Sequence, residues 1–396
     1  MPWQTSTLET QRRELVTLAL SVGANRSELA ARAGISRKTL YKWIAVSASG
    51  GGLVDRSRRP LRNPNRSSAE VEAAVLAWRD KHPRWGGRKI ARLLEKAGVR
   101  VCPSTVTEIL RRNDRLDGPR AGESRGYVRY QREHPNELWQ MDFKGHFPIL
   151  VGVRCHPFGC LDDRTRFCLA LKACSDERSA TVQSCLTNAF RTYGLPNSIL
   201  CDNGGCWGAS GIRDMTPLAV WISLQGVQVL HGRPYHPQTQ GKEERFHRTL
   251  DLEAIQGRGF VDIADCQRAF DRFRNDYNIE RPHEALGLET PASLYVCSPR
   301  PFREGSPPAP EYPAADIVQK VQAGGVLHFE GREFRVGKAL RGQPVAVRPY
   351  EQDGQYEVVF GRSRVQIIDL RDDPKGATTS RNGKAPVAPL PTPSHF

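Results

Sequence analysis

Apolar residues over the first 116 positions recur at helical spacing, and from about residue 136 strand-like runs alternate with helical ones. Leu15, Leu18, Ala19 and Val22 fall at i, i+3, i+4 and i+7, which predicts one apolar helical face. Ser27 is placed to cap a second helix carrying Leu29, Ala30 and Ala33. Gly34-Ile35-Ser36 then offers a tight turn and a fresh N-cap. A third helix, from Arg37 to about Val46, buries Leu40, Trp43 and Ile44 and presents Arg37, Lys38, Tyr41 and Lys42 on its other face. This is helix-turn-helix grammar over residues 1–47. It recurs without alignable repetition over 67–116. There Ser67 and Glu70 have capping-box spacing, Val71, Ala74, Val75 and Trp78 form a stripe, Ile90, Leu93 and Leu94 a second, and Val106, Ile109 and Leu110 a third. The connector 48–66 is small, then basic, with Arg56, Arg58 and Arg59 suited to tracking phosphates.

A polar connector over 117–135 leads into a mixed α/β region, 136–297. Leu138–Phe143 predicts a strand, and Phe158–Leu161 and Phe167–Leu171 flank Asp162-Asp163-Arg164-Thr165 as a hairpin. Ser179–Tyr193 predicts a helix, with Val182, Cys185, Leu186, Ala189, Phe190 and Tyr193 inward. Gly194-Leu195-Pro196 stops it before a strand at Ile199–Cys201. A helix at Val220–Leu224, a strand at Val227–Leu230 and a helix from Gln238 to about Ile255 follow. A Pro-rich linker, 298–315, precedes five short apolar runs with glycines between or beside them over 316–371, for which a small β-barrel is the expected closure. Residues 372–396, rich in Pro, Ser, Gly and Thr, are expected to be a disordered tail. The whole reads as a multidomain chain.

Charge sharpens this picture. The formal net charge is +15, and residues 1–127 hold 25 Lys and Arg against 12 Asp and Glu. A polyanion-binding front end on a nearly neutral remainder follows. No apolar run approaches the roughly 20 residues that would cross a bilayer, and Met1–Thr5 lacks a secretory pattern, so a cytoplasmic protein is expected. The ten cysteines are scattered, several within apolar runs, and Cys155 and Cys160 lack a second pair or spaced histidines. Reduced thiols fit better than a zinc site.

Three acids stand out: Asp142 and Asp202, in or at the end of apolar strand-like runs, and Glu244 on a helix-like run studded with basic residues. Carboxylates beside apolar strands cost free energy, and repel one another, unless a cation joins them. Hard divalent ions resolve the conflict, and a pair of them is suited to displacement at a phosphodiester. The string Pro234–Lys242 followed by Glu244-Arg245-Phe246-His247-Arg248-Thr249-Leu250 closely resembles the catalytic helix of bacterial insertion-sequence transposases of the DDE type, relatives of retroviral integrases. Trp139–Asp142, Cys201–Gly204 and Asn278–Gly287 resemble three further segments of that core, in order.

The resemblance implies a ribonuclease-H-like core, with Asp142, Asp202 and Glu244 as catalytic metal ligands for Mg²⁺ or Mn²⁺, two ions per site. It implies cleavage and strand transfer of double-stranded DNA, at element ends and target, by a homo-oligomer. A DNA-binding regulator without catalysis, and a nuclease that cuts without joining, are the rival readings. The interval from Asp202 to Glu244 is longer than is usual in the family. The usual spacing falls on Gln238, and the extra length is assigned to a loop over 206–217. Glu243 competes with Glu244, because neighbouring helical residues point about 100° apart and only one can face the site; the resemblance favours Glu244. His247 is equally suited to touching phosphate or a metal-bound water and to a structural role. Lys242, Arg245 and Arg248, with Arg88 and Lys89, complete the expected DNA-contact set. Asp162 and Asp163 are expected to serve the hairpin turn, and Asn203 and Gly204 the turn after Asp202.

Overall fold

A computed structural model describes residues 7–55, 66–116, 131–201, 215–231, 241–305 and 307–371. Contacts divide the chain into two units, Met1–Ser68 and Ala69–Phe396.

The first unit has three helices, α1 (Leu8–Leu20), α2 (Arg26–Arg32) and α3 (Arg37–Ala48), each started by a side chain that accepts a backbone N–H: Thr7, Asn25 and Ser36. The cap of α2 is therefore Asn25 and not Ser27. Gly34 has φ of 64°, the left-handed turn that separates α2 from α3. The buried face of α1 also differs from the expected one. Val16 and Ala19 are buried, whereas Leu18 and Val22 are exposed. The helix stops at Leu20, so Val22 lies beyond it, and the stripe that meets Leu40 and Trp43 of α3 is rotated accordingly. Leu53 closes this core, and Arg12 both donates to its carbonyl and lies 4.1 Å from the Trp43 ring centroid.

The second unit opens with α4 (Ala69–Lys81), α5 (Gly87–Lys96) and α6 (Pro103–Arg112), packed around Val75, Trp85, Ile90, Leu94, Val106, Ile109 and Leu110. Because α4 begins at Ala69, the residue ahead of it is Ser68, one beyond the expected cap at Ser67.

Six strands then build one sheet: β1 (Leu138–Phe143), β2 (Phe147–Pro148), β3 (Arg154–Asp162), β4 (Cys168–Cys174), β5 (Ser198–Cys201) and, after the intervening helix, β6 (Gln228–His231). Helix α7 (Ser179–Tyr193) joins β4 to β5, and α8 (Pro217–Leu224) lies between β5 and β6. β3 pairs antiparallel with β1, β2 and β4, and β1, β5 and β6 run parallel. Strand alternation divides β1 between two layers. Trp139 and Met141 join the α7 core, and the even positions Gln140 and Asp142 point the other way. That second face is covered by α9 (Gly241–Leu250), the π-helical turn Asp251–Ile255 that extends it, and α10 (Ile263–Asn275), with Phe246, Leu250, Phe270 and Phe273 buried.

The segment Asn278–Leu286, followed by the short α11 (Pro291–Leu294), locks this layer. Asn278 makes two bonds to the Cys168 backbone at the start of β4, and Arg281 pairs with Glu253. His283 is mostly buried, lies 3.2 Å from the Tyr277 carbonyl, and is pushed down to about 3 by burial and then by the Arg281 charge. A depressed histidine leaves the unfolded chain binding more protons, so stability is complete above pH 6.5 and is lost as pH falls toward 3. His283→Gln is expected to flatten the free energy of unfolding by about 1 kcal/mol per pH unit between pH 6 and 4. Denaturant melts across that range measure it, and an unchanged slope rules it out.

The C-terminal strands are β7 (Ile317–Lys320), β8 (Val326–Phe329), β9 (Arg332–Arg335), β10 (Pro344–Pro349), β11 (Gln355–Phe360) and β12 (Ser363–Asp369). They do not close into the expected barrel. An open sheet, β12-β11-β10-β7, stands beside a separate β8–β9 ribbon. Their apolar side chains find cover elsewhere: Val220, Met215 and Leu224, on or beside α8, join this core, and Ser363 accepts the Val229 amide of β6. No described helix is long and apolar enough to cross a membrane.

Candidate active site and DNA-facing surfaces

Asp142 sits near the end of β1 on the face toward α9, its side chain 23% exposed. Register brings it opposite Gly159 of β3. A Cβ at Gly159 would lie 3.3–3.4 Å from Phe246, Glu243 and His247, so a glycine there is what lets α9 approach the sheet this closely. Asp202 lies outside the described residues, as do Asn203, Gly204 and most of the loop assigned the extra length. The strand before it, β5, runs directly beside β1: Leu200, two residues before Asp202, pairs with Gln140, two residues before Asp142.

The two glutamates take opposite environments. Glu243 is 1% exposed and joins Phe246 and Leu250 on the inner stripe of α9. Neither of its carboxyl oxygens has a hydrogen-bond partner among the described residues. Burial first, and the Asp142 charge second, push its carboxyl well above the ordinary range. Glu244 is exposed. It is nonetheless on the flank shared with His247 and Asp251, at i, i+3 and i+7. That flank is docked along β1: His247 Nδ1 lies 3.8 Å from Asp142, and Asp251 pairs with Lys144 at 2.8 Å. Glu244 is the open end of this row, one turn before the residue that meets Asp142.

His247 lies 3.7 Å from Glu243, too long for a hydrogen bond. Burial and the Lys144 charge push it down to about 4, so at neutral pH it is an uncharged ring and forms an ion pair with neither acid. Among the described residues no three His, Cys, Asp or Glu side chains converge as a metal cluster.

Asp162 and Asp163 serve the β3–β4 turn, as their positions suggested. Asp162 accepts from the Asn136 and Thr165 amides and the Thr165 hydroxyl. Asp163 does more: its side chain, 2% exposed, pairs with Lys242. Lys242 is itself only 16% exposed, and burial pushes it down to about 8. A lysine engaged this way is withdrawn from the surface, in contrast to the phosphate contact expected of it. Arg245 and Arg248 are exposed on the outer side of α9.

On the first unit Arg37, Lys38, Tyr41 and Lys42 are all exposed on α3. The neighbouring Arg26 and Arg37 cations hold the Tyr41 phenol below its usual range, and the Arg26 guanidinium lies 5.5 Å from the ring centroid. Arg56, Arg58 and Arg59 lie outside the described residues. In the second unit, basic side chains of α4, α5 and the residue after α4 meet acids of the segment 280–289: Lys81 and His82 meet Glu280, Arg92 and Lys96 meet Glu289, and Arg88 lies 3.7 Å from Glu284. Arg88 remains open to solvent. Lys89 turns inward, and burial pushes it down to about 8, with the Arg281 charge next. This side of α5 is thus largely neutralised within the chain, unlike the exposed face of α3. Nothing local in the sequence pairs α5 with residues nearly 200 positions away.

Two integrase core domain families match residues 132–237 and 225–291, and the IS481 family transposase C-terminal domain matches residues 316–375. A helix-turn-helix domain matches residues 11–60, and a homeodomain-like domain matches residues 39–110. Over 251 residues the chain is 23% identical to an insertion element IS407 protein of Burkholderia multivorans, covering 61% of this chain and 87% of that one. It is 25% identical over 254 residues to an insertion element IS476 protein of Xanthomonas euvesicatoria, covering 61% and 70%. Among solved structures, the simian T-cell lymphotropic virus intasome in complex with a PP2A regulatory subunit is similar over 74% of this chain and 99% of that one, at 16% identity and a TM-score of 0.35. The HTLV-2 integrase catalytic core in complex with magnesium is similar over 41% and 97%, at 14% identity and a TM-score of 0.29.

Proposed function

We propose, for a chain that belongs to the insertion-sequence transposases with an integrase core, that Asp142, Asp202 and Glu244 are the catalytic acids of a DDE-type phosphoryl transfer. The protein is a DNA-binding transposase. The observation that carries the finer reading is the docking of the 244–247–251 flank along β1. It leaves Glu244 exposed on the flank whose His247 approaches Asp142, while Glu243 is buried against Gly159. An acid that must share a cation with a DNA phosphate has to be reachable, and Glu244 is. Glu243 supports a second reading, since it is the glutamate whose carboxyl feels the Asp142 charge.

The oxygen donors of Asp142 and Glu244 suit Mg²⁺ or Mn²⁺, with Asp202 completing a set for two ions. When bound, such ions stabilise charge on the attacking and leaving oxygens of an in-line displacement. The protein's own part is to hold the acids, orient Asp142 beside an uncharged His247, and hold DNA through Arg245 and Arg248 at the site. The face Arg37, Lys38, Tyr41 and Lys42 reads the element ends, with Arg56, Arg58 and Arg59 following phosphates. Two ends must be brought together for joining, so the acting species is a homo-oligomer on DNA.

The test is incubation of the purified chain, Mg²⁺ and labelled end-sequence DNA with a plasmid target. Joined products support a transposase of this mechanism. Hydrolysed ends without joined product indicate a nuclease, and binding without either indicates a regulator. For the reading face, Arg37→Ala with Lys42→Ala is expected to weaken end binding by about tenfold and reduce the salt slope by about one to two. Titrations at several salt concentrations measure both, and unchanged affinity removes α3 from the interface.

A further inference from the structure

The strand that carries Asp142 and the helix that carries Glu244 come from segments a hundred residues apart, and one buried carboxylate touches both. Gln140 is on the same face of β1 as Asp142, and its amide donates to Asp163 Oδ1 at 2.6 Å. Lys242, two residues before Glu244, pairs with the same oxygen and also lies 3.4 Å from the Asp163 carbonyl. Asp163 is fixed in turn. Its amide donates to Leu138 at the start of β1 at 2.9 Å, and its Oδ2 accepts the Arg132 amide at 2.8 Å. Gln140 directs its nitrogen to Asp163 although this leaves its own carbonyl oxygen buried without a partner among the described residues, so the carboxylate sets its orientation.

Along the inner face of β1 these contacts form three successive rungs between strand and helix. Gln140 reaches Lys242 through Asp163, Asp142 meets His247, and Lys144 meets Asp251. The middle rung is a 3.8 Å approach with no hydrogen bond. The outer two therefore set the register of the helix on the strand, and the Asp163 rung holds the first turn of α9, the turn that carries Glu244. Its ionic partners are buried, so it is shielded from the solvent that weakens exposed pairs.

We propose that Asp163 is a positioning residue: with Lys242 and Gln140 it fixes the separation at which Asp142 and Glu244 share a cation. This rests on the assignment of those two acids as metal ligands. Residues that orient metal ligands from behind commonly change affinity by about 10–100-fold when lost.

The test is Mn²⁺ binding to the full chain without DNA, measured by calorimetry alongside a thermal melt. Lys242→Met keeps the aliphatic stem and removes the charge. It is expected to weaken Mn²⁺ binding by about tenfold or more, with Lys242→Arg restoring most of it. Gln140→Met, which removes only the bond from the amide to the carboxylate, is expected to cost about threefold, and it serves if Lys242→Met does not fold. Asp142→Asn is the control. If it removes Mn²⁺ binding while Lys242→Met and Gln140→Met bind as the parent does, the positioning role is overturned and the acid assignment stands. If Asp142→Asn binds Mn²⁺ unchanged, the assignment beneath the proposal has failed. Weaker binding in Lys242→Met without recovery in Lys242→Arg also overturns it, since the loss then reflects disruption and not the ionic tie.

Discussion

Asp142→Asn should lower strand transfer by a thousandfold or more, on the order of 4 kcal/mol of transition-state stabilisation, and leave end-DNA binding within about twofold. The amide is isosteric and keeps one acceptor oxygen, so β1 and the packing of α9 over Gly159 have no cause to move. What it loses is the negative charge that a hard cation requires. On the proposed reading, binding to the ends draws on the exposed face of α3, in the other unit of the chain, and is independent of that charge. Gel-shift and strand-transfer assays on the same preparation check both halves. Retained joining would remove Asp142 from the chemistry, whereas lost binding would make the variant uninformative about catalysis and place Asp142 in the DNA interface.

The second large effect is a contrast between neighbours. Glu244→Gln should lose strand transfer to the same degree as Asp142→Asn, and Glu243→Gln should stay within about threefold of the parent. The reason is burial. Glu243 has no hydrogen-bond partner for either oxygen among the described residues, and its environment disfavours the charged form that would hold a cation. A buried carboxyl without partners also costs stability, so Glu243→Leu should raise stability by about 1–2 kcal/mol, provided the branched side chain packs in the space it inherits. The reverse outcome, with Glu243→Gln inactive and Glu244→Gln active, would exchange their roles. It would make Glu243, whose carboxyl feels the Asp142 charge, the catalytic partner of Asp142.

Several elements around the candidate site were legible because their signals are local in the chain. Helix α7 has the bounds that its periodicity predicted, Ser179–Tyr193, and the hairpin around Asp162-Asp163 forms between β3 and β4. Helix α10 carries local signals too: Asp262 caps it, and Cys266, Ala269, Phe270 and Phe273 repeat at i, i+3, i+4 and i+7. Strand β7, Ile317–Lys320, is mostly exposed and carries no buried alternation to give it away. The inward turn of Lys89 and Lys242 had no local signal at all. A lysine beside exposed arginines looks like one of them until the partner charge is known.

Residue order alone established the helix-turn-helix pattern, the mixed α/β core and the identity of the candidate acids. Those follow from the period at which apolar side chains recur and from short motifs whose residues act together. Folding settled which glutamate of the adjacent pair enters the core, which basic side chains are neutralised by distant acids, and that the C-terminal strands pack on α8 in an open sheet. Each of these depends on a surface supplied by a remote part of the chain. Spacing says that a face exists; the partner that buries it decides which one, and at what electrostatic cost.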